Sequence, residues 1–293
     1  MQARHLAGYV DVDARADPDA PPMKHYCLLL AISTVLTPLR GNAGQEAPRD
    51  PRCEGVRGLL SPLPDACLGV IDTDRPHQTD TPHVIPAGHT QIESAVAAVQ
   101  VGGLLGAAPE RKRPHVVLFD DNYKFGLVSG VDLEFLFKHA EYSTDSSQFL
   151  PPGPLQVRAK FSVVAENRYV PAVALVPWIF LPVDRSQPLR GGPLVFWEWE
   201  LPARMELEMN AGVLFGAKPK PAAAIVLASA LTYTVAGNLR VFVDIYATGW
   251  DVAFGTGALW AFNRDAQIDL GTYVGISGDE PAATPFLGFS LRR

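Results

Sequence analysis

Residues 193–213, PLVFWEWELPARMELEMNAGV, alternate large apolar groups with charges through two consecutive strand-length segments. In the first, Glu198 and Glu200 fall on every second position, with Trp197 and Trp199 beside them. In the second, Arg204, Glu206, Glu208 and Asn210 alternate with Met205, Leu207, Met209 and Ala211. Successive side chains of a strand point to opposite faces, so this hairpin has one charged face and one apolar face. A soluble sandwich alternates too, with its apolar face turned to the core. One hairpin fits either arrangement, so the rest of the chain has to decide.

Twelve strand-like segments run on from residue 89: approximately 89–102, 114–124, 128–140, 155–166, 169–181, 193–201, 203–214, 222–235, 238–248, 251–262, 265–276 and 283–292. Most are longer than the usual five or six residues of soluble sheets. They suit the roughly 9–11 tilted residues that cross a bilayer core. Long connections alternate with tight ones near 125–127, 167–168, 202, 236–237 and 263–264; the short one near 249–250 breaks the rule. The two-faced pattern recurs: Asp132 and Glu134, Arg158 and Lys160, Arg240 and Asp244, and Asp269 each alternate with apolar neighbours. Segment 169–181 fits poorly, because Pro171 and Pro177 cannot donate to a ladder. The fold this predicts is all-β: an antiparallel transmembrane barrel of about 12 strands, an even number, with both termini periplasmic.

The region before the barrel carries export signals. Met23-Lys24-His25 precedes an apolar run from 26 to 39, and Gly41-Asn42-Ala43 offers small residues at both positions a signal peptidase reads. Residues 23–43 are therefore expected to be a signal peptide, with 1–22 an upstream artefact and 44–88 a periplasmic or lumen-plugging segment. The alternative is a short buried helix, but nothing polar interrupts the run on a helical period. Export makes Cys53 and Cys67 a candidate disulfide. No apolar run reaches the roughly 18 residues of a membrane helix. Charged residues are 19% with a net charge of −6, too little positive charge for nucleic-acid binding.

Candidate chemistry is sparse. There is no nucleophile elbow, zinc-protease helix motif, Walker loop or C-x-x-C pair. His77, His83 and His89 are spaced by six, which matches no compact ligand set, and read as scattered surface histidines. Gly255 and Gly257 read as packing or bending positions in a strand. Carboxylates two apart on one strand face, such as Glu198/Glu200 or Glu206/Glu208, lie about 6–7 Å apart, a separation that glycosidases use. A wet lumen explains them better. Its lining is expected to be Asp132, Glu134, Arg158, Lys160, Glu198, Glu200, Arg204, Glu206, Glu208, Arg240, Asp244 and Asp269. Trp197 and Trp199 are expected to touch lipid, and Trp178 and Trp250 to join an interfacial aromatic girdle. The chain is expected to be no enzyme, to need no cofactor, and to have lipid and a small-molecule solute as partners.

Thr73-Asp74-Arg75-Pro76, Thr81-Pro82, Ile85-Pro86-Ala87-Gly88-His89 and Gln91-Ile92-Glu93 resemble the opening motif of an outer-membrane barrel family associated with the meta-pathway of phenol degradation. Asn263, Gln267, Asp269 and Gly271 resemble the same family's C-terminal turn-and-strand motif, and the likeness covers about residues 72–292. It implies a barrel that transports small, hydrophobic or aromatic compounds across an outer membrane. A non-conducting structural or surface-binding barrel is the alternative, and a secreted β-sandwich binding protein is a third. The closing aromatic usual in outer-membrane barrels is displaced here, because Phe286 and Phe289 precede Arg293.

Overall fold

The computed structural model describes residues 51–101, 114–144, 147–150, 152–167, 169–182, 189–216, 223–277 and 281–293; the expected signal peptide and everything else before residue 51 lie outside them. Strands β1 (Thr90–Gln100), β2 (His115–Val128), β3 (Val131–Ser143), β4 (Gln148–Leu150), β5 (Leu155–Val164), β6 (Ala172–Leu181) and β7 (Arg190–Leu201) come first. They are followed by β8 (Met205–Phe215), β9 (Ala223–Ala236), β10 (Leu239–Thr248), β11 (Asp251–Asn263), β12 (Ala266–Ser277) and β13 (Thr284–Arg292). All but β4 form a ring of antiparallel neighbours, and pairing of β1 with β13 closes it. The short β4 only lengthens the sheet beside the end of β3.

The alternation seen in the sequence becomes an inside and an outside. Along β10, Phe242, Asp244 and Tyr246 are buried, whereas Val241, Val243 and Ile245 are exposed. Leu175, Leu227, Leu231, Leu270 and Leu287 continue this apolar belt around the ring, each more than a third exposed. A belt of that extent belongs in lipid rather than water. Closure pairs the backbone polar groups that lipid cannot satisfy. No helix among the described residues is long and apolar enough to cross a membrane, so the strands are the spans.

Several details differ from expectation. β2 runs on to Val128, so the predicted turn at 125–127 lies within it. β5 and β6 are joined by residues 165–171, which leaves Pro171 outside the sheet. Pro177 stays in β6, directly opposite Pro193 in β7. Both prolines fall where pairing to the outer neighbour lapses. The β5–β6 register skips from Arg158↔Trp178 to Phe161↔Leu175, and the β7–β8 register from Gly191↔Phe215 to Leu194↔Gly212. Their missing N–H groups therefore cost no ladder bond. Trp178 is no girdle residue. It is 5% exposed, points inward, and packs with Phe180, Leu194, Leu214 and Val226.

Leu207 sits on the outer face between Trp199 and Leu231. A Leu207→Arg variant should lose stability, by up to about 2–4 kcal/mol, the cost of a charge at the bilayer midplane, and by less toward the interface. Urea unfolding in lipid vesicles measures this, and an unchanged midpoint would reverse the assignment of faces.

Candidate functional site

The barrel is not empty. Residues 51–70 lie across the end carrying the short turns, with Cys53 and Cys67 joined by a disulfide. The Leu59 N–H donates to the Leu127 carbonyl at 3.1 Å, Ile71 N–H to Arg264 at 2.7 Å, and the Arg264 guanidinium to Asp65 at 2.8 Å. The chain then enters the lumen and returns to β1. Residues 73–82 are all buried, although most of them are polar. Burying so many polar groups is costly unless each finds a partner, and the wall supplies most of them.

Asp74 is the hub. Lys124 of β2 reaches its carboxylate at 2.6 Å and Lys160 of β5 at 3.1 Å. The same carboxylate accepts from the Thr81 N–H at 3.0 Å, closing residues 74–81 into a loop. Burial pushes its pKa up, but Lys124 and Lys160 outweigh that and hold the group well below the usual carboxylate range. Arg75 pairs with Asp269 of β12 at 2.9 Å, and the Gln267 amide donates to Thr73 at 2.9 Å. Glu93 holds Lys124 at 2.5 Å and accepts from Gln91 at 2.8 Å. The opening motif and the C-terminal motif therefore meet inside the barrel. Gly288 is part of this contact, because a Cβ there would lie 2.4 Å from the Arg75 guanidinium and 2.7 Å from Asp269.

The loop continues round the wall. Gln78 N–H donates to Asp244 of β10 at 2.7 Å, Asp80 N–H to Asn210 of β8 at 2.6 Å, and Arg158 of β5 to Asp80 at 2.6 Å. Ile85 N–H donates to Asp132 of β3 at 2.9 Å, and Lys160 also reaches Glu134 at 3.2 Å. His77 lies 3.4 Å from Glu208, and His83 lies 3.1 Å from Glu198. Those two glutamates face each other across β7 and β8. Like charges directly opposite are unfavourable, and the imidazoles relieve this. His77 is buried with its second nitrogen 2.5 Å from the Thr79 carbonyl, so both ring nitrogens face acceptors. Burial lowers its pKa, but Glu208 and Asp244 raise it to about 10. The hydrogen bond to Glu198 takes half-exposed His83 to about 9, against the opposing effect of burial.

Buried His77 and His89 correct the expectation of scattered surface residues, whereas His83 is half exposed and tied to Glu198. Among the described residues no group of His, Cys, Asp and Glu is arranged to hold a metal. Of the expected lining, Asp132, Glu134, Arg158, Lys160, Glu198, Glu208, Asp244 and Asp269 are buried on inward faces around the loop. Glu206 and Arg240 pair with each other at 3.2 Å and are part-buried near the short turns. Glu200 is exposed at the end of β7, directly opposite Glu206 near the short turns. Arg204 is removed from the lining, because Ala203 and Arg204 take left-handed φ values of 64° and 63° and form the exposed β7–β8 turn. The sequence reading missed Lys124, Asn210 and the whole loop set from Asp74 to Asp80. A signal was present: Thr73-Asp74-Arg75-Pro76-His77 and Thr79-Asp80-Thr81-Pro82-His83 are two copies of T-D-x-P-H. Each copy gives its aspartate to the cations of β5 and its histidine to one of the facing glutamates.

Toward the long connections the interior changes character. Trp178, Phe180, Leu194, Phe196, Leu214 and Val226 make an apolar, inward-facing patch. Beside it, Phe242, Tyr246, Tyr273 and Phe286 form a second cluster. A cavity of about 10 Å³ remains between the loop tip and this wall.

Because both imidazoles are raised, they stay charged beside Glu198 and Glu208 at neutral pH, and the grip is lost as pH rises through about 9 and then 10. In detergent, cleavage by an added protease between residues 71 and 88 should be absent at pH 7 and appear between about pH 9 and 10. A cleavage rate that stays flat across that window would contradict the latch.

A COG4313 outer membrane channel from Pseudomonas putida F1 has the same fold, with a TM-score of 0.53 at 10% identity over 70% of this chain and 95% of that one. A KdgM porin gives 0.44 at 9% identity over 69% and 98%, and the Acinetobacter baumannii outer membrane protein Omp33 gives 0.37 at 10% identity over 70% and 97%. No match is found among curated proteins. The family profile described as "Putative MetA-pathway of phenol degradation" spans residues 73–292, from the first threonine of the lumen loop to the last residue of β13, and the chain belongs to that family.

Proposed function

We propose that the protein is an outer-membrane channel for a small, hydrophobic or aromatic molecule, closed at rest by its own residues 71–89. The carrying observation is the division of the interior. The half near the short turns is charged and filled by the loop, whereas on β6–β13 the half near the long connections is lined mainly by apolar and aromatic side chains. Mid-sized barrels have room for side chains and one segment, so occupancy by a loop is enough to shut them. Export by the segment 23–43 places the barrel in the outer membrane, with both termini and the cap of residues 51–70 on the periplasmic side.

The wall is acidic once the loop is discounted. Glu93, Asp132, Glu134, Glu198, Glu208, Asp244 and Asp269 outnumber Lys124, Arg158 and Lys160. These inward charges would then set ion selectivity. The filled interior also favours a second reading, a barrel that never conducts, and solute flux through the intact protein separates the two.

Deleting residues 72–87 should convert a silent barrel into a cation-preferring pore in planar bilayers. Adding Glu198→Ala and Glu208→Ala to that deletion should lower the cation preference. A deletion variant that assembles and stays silent, or a preference untouched by the two substitutions, would overturn the proposal.

A further inference from the structure

The cap across the short-turn end carries leucine where leucine is out of place. Gly58 and Ser61 exchange both of their backbone hydrogen bonds, at 3.1 and 2.9 Å, which leaves Leu59 and Leu60 at the tip of a two-residue turn. Such tips favour Gly, Asn and Asp. Here Leu60 is fully exposed, Leu59 is 61% exposed, and Val56 is 83% exposed. The turn does not hang free. Gly58 bridges to Val128 at the end of β2, the Leu59 N–H donates to the Leu127 carbonyl, and the Ser129 N–H donates to the Arg57 carbonyl at 3.0 Å. Residues 57–59 therefore prolong the sheet at the rim of the barrel. The bridge is antiparallel, so Leu59 stands against Leu127, two residues along β2 from exposed Phe125. The β2–β3 register slips at Leu127, which leaves Leu127 and Val128 against Val131, and Val131 in turn pairs with exposed Phe161 of β5. The apolar belt of the barrel thus runs on to the cap.

We infer that Leu59 and Leu60 anchor the cap in the membrane: the turn dips both leucines into the lipid leaflet at the short-turn rim, and the occupant of this surface is the acyl-chain region of phospholipid. An apolar prong at the boundary of headgroups and chains is relieved of its exposure to water. The contact is apolar and does not select lipid charge, because the Arg57 guanidinium beside the turn is folded back on the cap, onto the Arg52 carbonyl at 2.6 Å and the Glu54 carbonyl at 3.3 Å. The Cys53–Cys67 disulfide closes the segment around the turn into a ring, so the leucines stand on a fixed base. The same ring touches the end of the lumen loop. Leu63 N–H donates to the Ala87 carbonyl at 2.9 Å, His89 Nε2 lies 2.7 Å from the Leu63 carbonyl, and a Cβ on Gly88 would come within 2.4 Å of Pro62. Lipid therefore holds the cap, and the cap holds the point where the loop joins β1.

The test adds one tryptophan to the protein in lipid vesicles, with phospholipids brominated close to the headgroup as quenchers. The emission that Leu60→Trp adds over the wild type should fall by about half or more, and that of Glu54→Trp, an exposed position on the same ring, should be unchanged. Exchanging zwitterionic vesicles for anionic ones should leave both results as they are. A prong made for a soluble partner stays in water when only lipid is present. Equal quenching at the two positions, or quenching in anionic vesicles alone, would therefore overturn the anchor. Leu59→Asp with Leu60→Asp carries the test if the tryptophan variant fails to assemble. An added protease should cut residues 51–70 of this variant about tenfold faster than those of the wild type in the same vesicles, and equal rates would overturn the anchor as well. Neither measurement depends on whether the barrel conducts, so the channel reading stands or falls separately.

Discussion

The carboxylate of Asp74 is the interaction on which the arrangement depends. It closes the lumen loop on itself through Thr81 and ties the loop to one side of the wall through Lys124 on β2 and Lys160 on β5, the strands that flank β3. Charges in a buried setting are expensive to desolvate, and they persist only when each is paired and hydrogen-bonded. Removing one member would leave two ammonium groups short of a partner, so loop and wall have to be seated together. The barrel outside this knot follows ordinary rules of lipid-facing strands. Inside it, the fold is a set of charge pairings and hydrogen bonds between the wall and residues 71–89.

That path also explains how the interior is divided. The loop consumes hydrogen-bonding capacity around the lower lumen, from Asp269 on β12 through Asp244 and Asn210 to Asp132 on β3. Above the tip, the wall from β6 to β13 is built mainly from Phe, Trp, Tyr, Leu and Val. The loop is held by groups that differ in character. Arg75, Lys124, Arg158 and Lys160 carry fixed charge at any ordinary pH. His77 and His83 carry charge only because Glu208 and Glu198 stand beside them.

The wall was legible in the sequence because a strand's period of two is a local property. Val241, Val243 and Ile245 against Asp244 and Tyr246 can be sorted by eye, and twelve such segments imply closure. The lumen loop was not legible in that way. Its partners lie far off in the chain, as with Arg75 and Asp269, and no periodicity announces them. Pro76, Pro82 and Pro86 mark the segment as extended, which is equally true of an ordinary linker. The histidines looked like surface residues for the same reason: only the register that sets Glu198 against Glu208 shows why imidazolium is needed there. Trp178 was misplaced because residues 169–181 alternate little in polarity, so inward aromatics looked like outward ones. Arg204 kept the strand's alternation in sequence, yet the turn claims it. The family motifs marked the right residues without disclosing that they touch one another.

The account's central claim is that residues 71–89 shut the pore by remaining seated in it. The most direct measurement tethers the seated loop without deleting it. Asp80→Cys with Asn210→Cys places thiols at two positions where the Asp80 backbone already hydrogen-bonds the Asn210 side chain at 2.6 and 2.7 Å, and flux of benzyltrimethylammonium, an aromatic solute that lipid does not pass, into proteoliposomes is compared before and after reduction. Oxidised barrels should be impermeable and the same barrels permeable once reduced. Flux that is equal in both states would show that the solute does not need the loop to move, and would contradict the account.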